Sequence, residues 1–233
     1  MDESMHIFVL TGAGISAESG IPVFQGTSWR GRPHAELANI HAWNADPELV
    51  WEYYSERRRR AREVQPNAAH FALANFAESL SANRFFLCTQ NVDGLHEAAG
   101  SKNVFHVHGC LFETRCADEC GQLAFADTKE YAAGSLPRCV CGALQRPNVC
   151  WFGEQPYELD RVQRELDQCS VFLAVGTSGS VQPVASFVAM LKQRRGPTRT
   201  MFVGLERPAN ASYFDDIHLG KASAVLAEVL RRL

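Results

Sequence analysis

The segment "HIFVLTGAGISAESGIP", residues 6–22, decides the fold. It begins with a short apolar run that predicts a buried strand, and a glycine-rich turn then leads into the start of a helix. The same order of apolar strand, polar turn and helix returns at residues 85–100 and 170–194. This alternation predicts an α/β fold, in which a parallel sheet is covered by helices on both faces. Strands are predicted at residues 7–10, 85–88, 171–175 and 200–203, and a closing helix at residues 222–233.

The composition is that of an ordinary globular protein. The 233 residues are 46% hydrophobic and 21% charged, which suits one large domain or one domain with a small insert. A net charge of −3 argues against non-specific binding of nucleic acid by the whole molecule. No apolar run has the length of a membrane span, and the opening "MDESMHIFVL" lacks the pattern of an export signal. We therefore expect a soluble, cytoplasmic monomer with no direct nucleic-acid partner and no membrane partner.

A polar turn follows each predicted strand. These turns are residues 11–16, 89–93, 176–178 and 204–206. Because the carboxyl ends of parallel strands lie at one edge of a sheet, the four turns are expected to converge there. Open α/β sheets bind their ligands at this edge, so the sequence predicts a ligand site formed by these turns.

The first of these turns favours nucleotide binding without requiring it. Small residues after a strand let backbone N–H groups approach a pyrophosphate, and the start of the helix adds a favourable potential. The glycines stand at positions 12, 14 and 20, which is not the usual G-x-G-x-x-G spacing. There is also no acidic residue at the end of a second strand about 20 residues later, as a Rossmann dehydrogenase needs for its ribose. The residues of the turn alone leave a nucleotide site and a plain tight turn equally open.

The second turn, in "CTQNVDGLHEAAG", places Gln90, Asn91 and Asp93 directly after a buried strand. Polar side chains at this edge are costly to bury unless they bind something. The alternative is an Asx-turn in which Asp93 caps the following helix. Both interpretations stay open on the residues alone.

The short segment "FHVHGC" carries His106 and His108, which point the same way if the segment is extended. His108 precedes a glycine at a strand end, and a histidine pKa near neutrality suits a general base. The alternative is a histidine that only satisfies local structure. We therefore keep His108 as a candidate catalytic residue.

Four of the eight cysteines are clustered as C-x3-C, a gap of 18 residues, and C-x-C. Two close pairs with an intervening loop fit a tetrahedral thiolate zinc site, whose role is structural because four thiolates leave no open position. Disulfides are the alternative, although a reducing cytosol disfavours them. The clustered cysteines are Cys116, Cys120, Cys139 and Cys141. The single cysteines, expected in the core, are Cys88, Cys110, Cys150 and Cys169.

Two stretches break the α/β pattern. Residues 26–75 look helical, whereas residues 110–150 contain the clustered cysteines, little periodicity and several chain breakers. We expect the two inserts to form one smaller module. At the end of the second insert, "NVCWFGE" (residues 148–154) has an aromatic pair that lines an apolar tunnel and pairs with a peptide, or else belongs to the core.

Five segments, in order along the chain, resemble the motifs of the sirtuins, the NAD-dependent protein-lysine deacylases. They are "GAGISAESGIPVF", "TQNVDGLHEAAGS", "HGCLFETRC", "CWFGE" and "GTSGSVQP". The resemblance implies that NAD is consumed as a co-substrate, that one Zn²⁺ is structural, and that acylated lysine peptides or proteins are the partners. Nicotinamide and O-acyl-ADP-ribose are the implied products. The implied domains are a Rossmann-like NAD-binding domain, residues 1–25, 76–109 and 151–233, and a small helical and zinc-binding domain, residues 26–75 and 110–150.

The resemblance also implies roles for individual residues. His108 corresponds to the general base for a ribose hydroxyl, and it is grouped with Asn91 and Asp93 as catalytic. The implied NAD contacts are Gly12, Ala13, Gly14, Ser16, Phe24, Gln25, Gln90, Asn91, Asp93, Gly176, Thr177, Ser178, Gly204, Glu206 and Ala222. The implied substrate contacts are Tyr54, Arg57, Trp151, Phe152, Gly153 and Glu154, and the implied zinc ligands are the four clustered cysteines.

Three features depart from the family's pattern. The usual Thr-Phe-Arg of the cofactor loop is Val23-Phe24-Gln25 here, and the arginine of that loop normally contacts NAD. Gly204-Leu205 replaces the usual asparagine before the adenine-side glutamate, and the second cysteine pair is shortened to C-x-C. Because of Gln25, an NAD hydrolase or ADP-ribosyltransferase stays as an alternative. A non-catalytic sensor of NAD or ADP-ribose is a separate alternative.

The segment "VWEYYSERRRRAREV", residues 50–64, has the densest charge of the chain. Its Tyr54 and Arg57 match the Tyr-x-x-Arg of the sirtuins that prefer succinyl, malonyl and glutaryl groups. Residues i and i+3 share a helix face, so a guanidinium fork and a phenol can hold one carboxylate between them. We therefore expect desuccinylase, demalonylase or deglutarylase activity with weaker deacetylation; the alternative is a core Tyr54 and a solvated Arg57. The remaining arginines are expected to form a solvated, partly paired face, with Glu56 next to Arg60: Arg58, Arg59, Arg60 and Arg62.

Overall fold

The computed structural model describes residues 5–24, 26–80, 84–194 and 198–233. The strands are β1 (Ile7–Thr11), β2 (Ser28–Trp29), β3 (Arg32–Pro33), β4 (Phe85–Thr89), β5 (Phe105–His106), β6 (Gly109–Cys116), β7 (Phe125–Ala126), β8 (Gln145–Val149), β9 (Val171–Val175), β10 (Arg199–Gly204) and β11 (Asp216–Leu219). The helices are α1 (Ala13–Ala17), α2 (His34–Leu37), α3 (Ile40–Ala45), α4 (Pro47–Glu63), α5 (Ala68–Glu78), α6 (Leu95–Ala98), α7 (Leu159–Gln168), α8 (Phe187–Gln193) and α9 (Ala222–Arg231). No helix in these ranges combines the length and the apolar character that a membrane span requires.

A six-stranded sheet with the order β11-β10-β9-β1-β4-β5 forms the larger part of the molecule. All of its neighbouring strands are parallel. The four predicted strands are present as β1, β4, β9 and β10, and the prediction of a Rossmann-like parallel sheet with helices on both faces is confirmed. The two edge strands, β5 and β11, were not predicted. They are short and only partly buried, so neither carries the continuous apolar run of the central strands.

Alternate residues of the central strands enter two separate cores, one on each face of the sheet. Phe8 and Leu10 of β1 pack with α7 and α8, whereas Ile7 and Val9 pack with α5 and α9. α5 therefore covers the sheet, although most of its residues fall within the range 26–75 that we assign to the small domain. The division of the chain into two domains stays a prediction.

A third core lies in a smaller module made by α2, α3, α4 and the antiparallel sheet β7-β6-β8. Helix α4 starts sharply because the Asp46 carboxylate accepts the N–H of Leu49 at 3.0 Å and Pro47 occupies the first helical position. Its buried side includes Trp51 and Tyr54, which pack in this core. α4 is thus fixed between the module's sheet and the segment that follows β8, and this placement brings its arginines to the candidate site.

Candidate active site

Two turns at the carboxyl edge of the sheet pack backbone against backbone. The N–H of Gly14 donates to the carbonyl of Gly176 at 2.8 Å, and a Cβ on Gly14 would lie 2.8 Å from the Cα of Gly176. Gly176 itself has φ +63°, and a Cβ on it would lie 2.4 Å from the nitrogen of Ile15. The glycines are therefore needed for the close approach of the two turns, whether or not a phosphate binds there.

Asn91 ties the turn after β4 to the turn after β1. Its Nδ2 donates to the carbonyl of Gly12 and to the hydroxyl of Ser16, both at 3.1 Å. Its backbone N–H donates to the Thr89 hydroxyl at 3.0 Å. The side-chain oxygen of Asn91 has no partner among the described residues, so it is the atom left to accept a hydrogen bond from a ligand.

His108 has the hydrogen bonding of a neutral base. Its Nδ1 lies 3.2 Å from the carbonyl oxygen of Gln90, and because a carbonyl only accepts, Nδ1 must carry the proton. Nε2 then presents its lone pair, and no described residue occupies it. Burial lowers the pKa of His108, and the hydrogen bond to the Gln90 carbonyl opposes that effect in part. The imidazole is therefore neutral near pH 7 and able to accept a proton.

His106 has a different environment. Its Nδ1 lies 2.9 Å from the Asn91 carbonyl and its Nε2 lies 2.6 Å from the Glu97 carboxylate, so both nitrogens are occupied. Burial alone would lower the pKa of His106, but the hydrogen bond and charge of Glu97 outweigh it and raise the pKa. His106 therefore holds the turn after β4, and His108 is the histidine with a free nitrogen.

Asp93 combines the two interpretations of its turn. One carboxylate oxygen accepts the backbone N–H of Leu95, the first residue of α6, at 3.0 Å, as in an Asx-turn, whereas the N-cap position of the helix is Gly94. The other oxygen has no hydrogen bond from the described part of the chain, although the side chain is buried. The bond to Leu95 fixes the carboxylate and leaves one oxygen for a ligand.

The other candidate NAD contacts lie at the same edge or beside it. Thr177 and Ser178 follow β9, Gly204 ends β10, and Ala222 is the buried first residue of α9. Glu206 is exposed in the turn after β10. Gln25, a further candidate contact, lies outside the described residues.

Six side chains form a closed chain of aromatic contacts next to this edge. Neighbouring ring centroids are 4.9–6.2 Å apart. In order they are Phe152, Phe24, His34, Tyr53, Tyr54 and Trp151, and Trp151 is covalently joined to Phe152. We call this set the aromatic cluster. It lies close to the candidate base because the N–H of Cys150 donates to the carbonyl of His108 at 2.9 Å.

The segment after β8 is held by Glu154 and by a residue that the sequence did not single out, Arg146. The Glu154 carboxylate accepts two hydrogen bonds from Arg146, at 2.5 and 2.9 Å, and one from the backbone N–H of Trp151 at 2.8 Å. The Arg146 guanidinium lies 3.3 Å from the centroid of the Trp151 ring, and the indole N–H donates to the Tyr54 hydroxyl at 2.9 Å. Trp151 is buried and Phe152 is 44% exposed, so the aromatic pair serves both the core and the surface.

Arg58 corrects the prediction of a solvated arginine face. Its side chain is fully buried, and its five N–H donors have five acceptors: three backbone carbonyls, Thr114 and Asp127. The prediction was wrong because Asp127 approaches from the loop after β7, a partner that periodicity along α4 does not reveal. The predicted pair of Glu56 and Arg60 is present at 2.5 Å.

Arg57 differs from the other arginines of the run. Arg58, Arg59, Arg60 and Arg62 each form an ion pair with a carboxylate. Arg57 is half-buried and has no acidic partner among the described residues. Its Nη1 donates instead to the Tyr53 hydroxyl at 3.4 Å, a neutral group of the aromatic cluster.

The four clustered cysteines fit a zinc ion. Their Sγ atoms all lie within 4.8 Å of one another, with the closest pairs at 3.5 and 3.6 Å. Two thiolates on a tetrahedral zinc are about 3.8 Å apart, given a Zn–S distance of about 2.3 Å, whereas a disulfide bond is about 2.05 Å. All eight cysteines are free, which contradicts the disulfide alternative. Cys88 and Cys169 are in the core as expected, whereas Cys110 and Cys150 are only half-buried.

The site contains three further residues that the sequence did not indicate: His34, Tyr53 and Arg146. His34 and Tyr53 belong to the aromatic cluster, and Arg146 supports Trp151. Tyr53 precedes the predicted Tyr54, and its aromatic type was the one available signal. Arg146 lies in the insert with little periodicity and His34 lies in the insert that looks helical, and in neither place does a local pattern mark the partner.

Comparison with known proteins agrees with the site. Residues 12–183 match the Sir2 family. A protein of Pasteurella multocida (strain Pm70), named NAD-dependent protein deacylase, is 40% identical over 99% of this chain and 98% of its own length. Among solved structures, a Sir2 homolog in complex with NAD is 41% identical and has a TM-score of 0.88, over 97% of this chain and 88% of that chain. A mutant Sir2 homologue in complex with 2'-O-acetyl ADP ribose is 39% identical with a TM-score of 0.87, over 99% and 93% of the two chains. The resemblance to the sirtuins is thereby confirmed, and the chain belongs to the Sir2 family.

Proposed function

We propose that this protein removes acyl groups from lysine side chains with consumption of NAD, and that it prefers succinyl, malonyl or glutaryl groups to acetyl. The general activity is supported by the family and by relatives that are named NAD-dependent protein deacylases. The acyl preference is supported by one observation on this chain. Arg57 is a half-buried cation three residues after Tyr54 on α4; it donates to the Tyr53 hydroxyl and lacks a carboxylate partner in the described structure.

The residues at the sheet edge suit the reaction that the family performs. When bound, NAD supplies a ribose carbon that is open to attack and nicotinamide as the leaving group. His108 presents Nε2 to accept a proton from a ribose hydroxyl, and Asn91 presents its side-chain oxygen to the ribose or to water. Asp93 holds one oxygen for the nicotinamide amide. The cysteine cluster would hold Zn²⁺ in a structural role, because it contributes four ligands and keeps no open position.

Tyr54 is arranged to donate a hydrogen bond. Its oxygen already accepts the indole N–H of Trp151, and its own hydrogen has no acceptor in the described part of the chain. Burial raises the pKa of Tyr54, so the phenol keeps its proton near neutral pH. A carboxylate on the acyl group would give this hydrogen an acceptor.

Arg57 and Tyr54 together can account for a strong preference. Each charge-assisted hydrogen bond is worth about 1.5–3 kcal/mol, and about 1.4 kcal/mol corresponds to a tenfold change in affinity. Two such bonds to a succinyl carboxylate would favour succinyl over acetyl by about 10²–10⁴-fold. An acetyl group leaves Arg57 without an anionic partner, so it gains none of this energy.

The test compares kcat/KM for succinyl-lysine and acetyl-lysine versions of one peptide in the wild type and in Arg57→Met. We expect the variant to lose most of its activity on the succinyl peptide and to keep its activity on the acetyl peptide. Arg59→Met is the matched control, because it removes the same charge from the same helix but from a residue paired with Glu130 at 3.5 Å. Mass spectrometry should detect O-succinyl-ADP-ribose as a product.

Two results would contradict the proposal. Equal losses on both peptides in Arg57→Met would remove Arg57 as the reader of the acyl group. Rapid release of nicotinamide from NAD without any acyl peptide, together with the absence of O-acyl-ADP-ribose, would favour an NAD hydrolase.

A further inference from the structure

We propose that Tyr53 and His34, both neutral, are positioning residues that hold the Arg57 guanidinium at the acyl site by a chain of hydrogen bonds. The inference rests on the proposed function, because it assumes that Arg57 binds the acyl carboxylate. It concerns two residues of the aromatic cluster that no sequence motif indicated.

The chain of hydrogen bonds has a defined direction. Nη1 of Arg57 donates to the Tyr53 hydroxyl at 3.4 Å, and that hydroxyl lies 3.0 Å from Nδ1 of His34. Tyr53 is completely buried, so its hydrogen would be left without an acceptor if His34 were also a donor to it. The consistent arrangement is that Arg57 donates to Tyr53 and Tyr53 donates to Nδ1 of His34.

The state of His34 supports this direction. His34 is 7% exposed, and burial, followed by the charges of Arg57 and Arg60, lowers its pKa. A neutral imidazole has one nitrogen that accepts, whereas a charged imidazole has none. Nδ1 can therefore serve as the acceptor for the Tyr53 hydroxyl.

A neutral partner suits an arginine that has to bind an anionic ligand. A carboxylate in the place of Tyr53 would hold Arg57 more strongly, but it would compete with the acyl carboxylate for the same charge. The Tyr53 hydroxyl uses one N–H of the guanidinium, and the ring of Tyr53 lies 5.5 Å from the guanidinium carbon. The side chain is thus restrained while its charge and its remaining N–H donors stay available.

The restraint should appear in substrate binding. Ordering one long side chain at a binding site costs about 0.5–1.5 kcal/mol, which corresponds to about a two- to tenfold change in affinity. If Tyr53 and His34 order Arg57 in advance, their removal should raise KM for the succinyl peptide by about two- to tenfold. For the acetyl peptide, kcat and KM should both stay at their wild-type values, because the acetyl group does not use Arg57.

The experiment uses Tyr53→Phe, His34→Leu and His34→Asn with succinyl and acetyl peptides, and Arg57→Met as the reference. Tyr53→Phe removes the hydroxyl and keeps the ring, and His34→Leu removes the acceptor. His34→Asn retains an acceptor close to the position of Nδ1, so it should restore the wild-type KM. Thermal unfolding and circular dichroism of each variant show whether the fold is kept.

The expected result is a raised KM for the succinyl peptide in Tyr53→Phe and His34→Leu, with recovery in His34→Asn. The inference alone is overturned if Arg57→Met loses the succinyl preference while Tyr53→Phe and His34→Leu keep it. It is equally overturned if Tyr53→Phe binds the succinyl peptide more tightly, since Tyr53 would then compete with the substrate. An unchanged succinyl preference in Arg57→Met overturns the proposed function and the inference together.

Discussion

Replacing Arg58 with methionine should destabilise the fold, because Arg58 has a structural role that differs from the role proposed for the neighbouring Arg57. Arg58 and Asp127 form an ion pair at 3.0 Å, and their side chains are 0% and 4% exposed. The guanidinium also donates to three carbonyls and to the Thr114 hydroxyl, so its loss leaves these buried acceptors short of donors. Removing one partner of a buried ion pair typically costs about 3–5 kcal/mol, because the other charge stays buried without compensation. We therefore expect Arg58→Met to reduce the free energy of unfolding by about this amount.

Thermal unfolding offers a direct measurement of this change. For a protein of this size, 1 kcal/mol lowers the melting temperature by about 2–4 °C, so the expected decrease is roughly 6–20 °C. Arg59→Met is the control: its side chain is 54% exposed, and a surface ion pair contributes about 0–1 kcal/mol. Urea unfolding of both variants at one temperature gives the difference in free energy of unfolding independently of the melting data.

The double variant Arg58→Met/Asp127→Asn tests the cause of the loss. If an uncompensated Asp127 charge dominates, removing that charge should recover part of the stability that Arg58→Met loses. A melting temperature for Arg58→Met within 2 °C of Arg59→Met, where about 2–4 °C is expected per kcal/mol, would refute the reasoning. The buried network would then contribute no more than a surface pair.

Three further predictions concern the candidate base His108, the metal and Gly109, the first residue of β6. Because burial lowers the pKa of His108 and its neutral form is the active one, nicotinamide release should fall on the acid side with a midpoint below pH 6.5; a midpoint above this value would contradict the assignment. Zinc analysis should find one ion per chain, and Cys141→Ser or a chelator should lower the melting temperature; a metal-free chain of unchanged stability would exclude the site. Gly109→Ala places a methyl group 2.0 Å from the Asn148 carbonyl at φ +79°, so it should unfold more easily than Gly134→Ala, which has φ +77° and open space; equal stabilities would show that backbone strain alone matters.

The central strands were predictable because their burial is written in consecutive residues. β9 runs from Val171 to Val175 with every side chain buried, and the apolar run in the sequence has the same bounds. β11 was missed because Asp216–Leu219 mixes polar and apolar residues at a partly exposed edge. A strand of this kind is defined by pairing with β10, which lies outside its own sequence.

The candidate site was predictable where residues stand in a motif and unpredictable where they depend on distant partners. Asn91 follows the predicted strand β4, so topology brings it to the edge of the sheet, whereas His108 follows the unpredicted strand β5 and was indicated by its motif. Arg58 looked like Arg59 and Arg60 because Asp127, its partner, is 69 residues away. The role of His34 has the same origin, since its contact with Tyr53 joins two helices that the sequence does not relate.

The contrast between Arg57 and Arg58 shows how one helix can keep the arginine that we propose for ligand binding apart from a structural arginine. Successive residues of an α-helix point about 100° apart, so Arg58 can enter the module's core while Arg57 faces the aromatic cluster. The network of Arg58 binds α4 to β6 and to the loop after β7, and this attachment fixes the rotation of the helix. A half-buried cation with no acidic partner in the described ranges, as Arg57 is, would otherwise gain free energy by turning toward solvent or toward a carboxylate of the protein. With the helix held by Arg58 and the guanidinium held by a neutral hydroxyl, the described residues leave Arg57 without an anion, and under the proposed function the substrate would supply it.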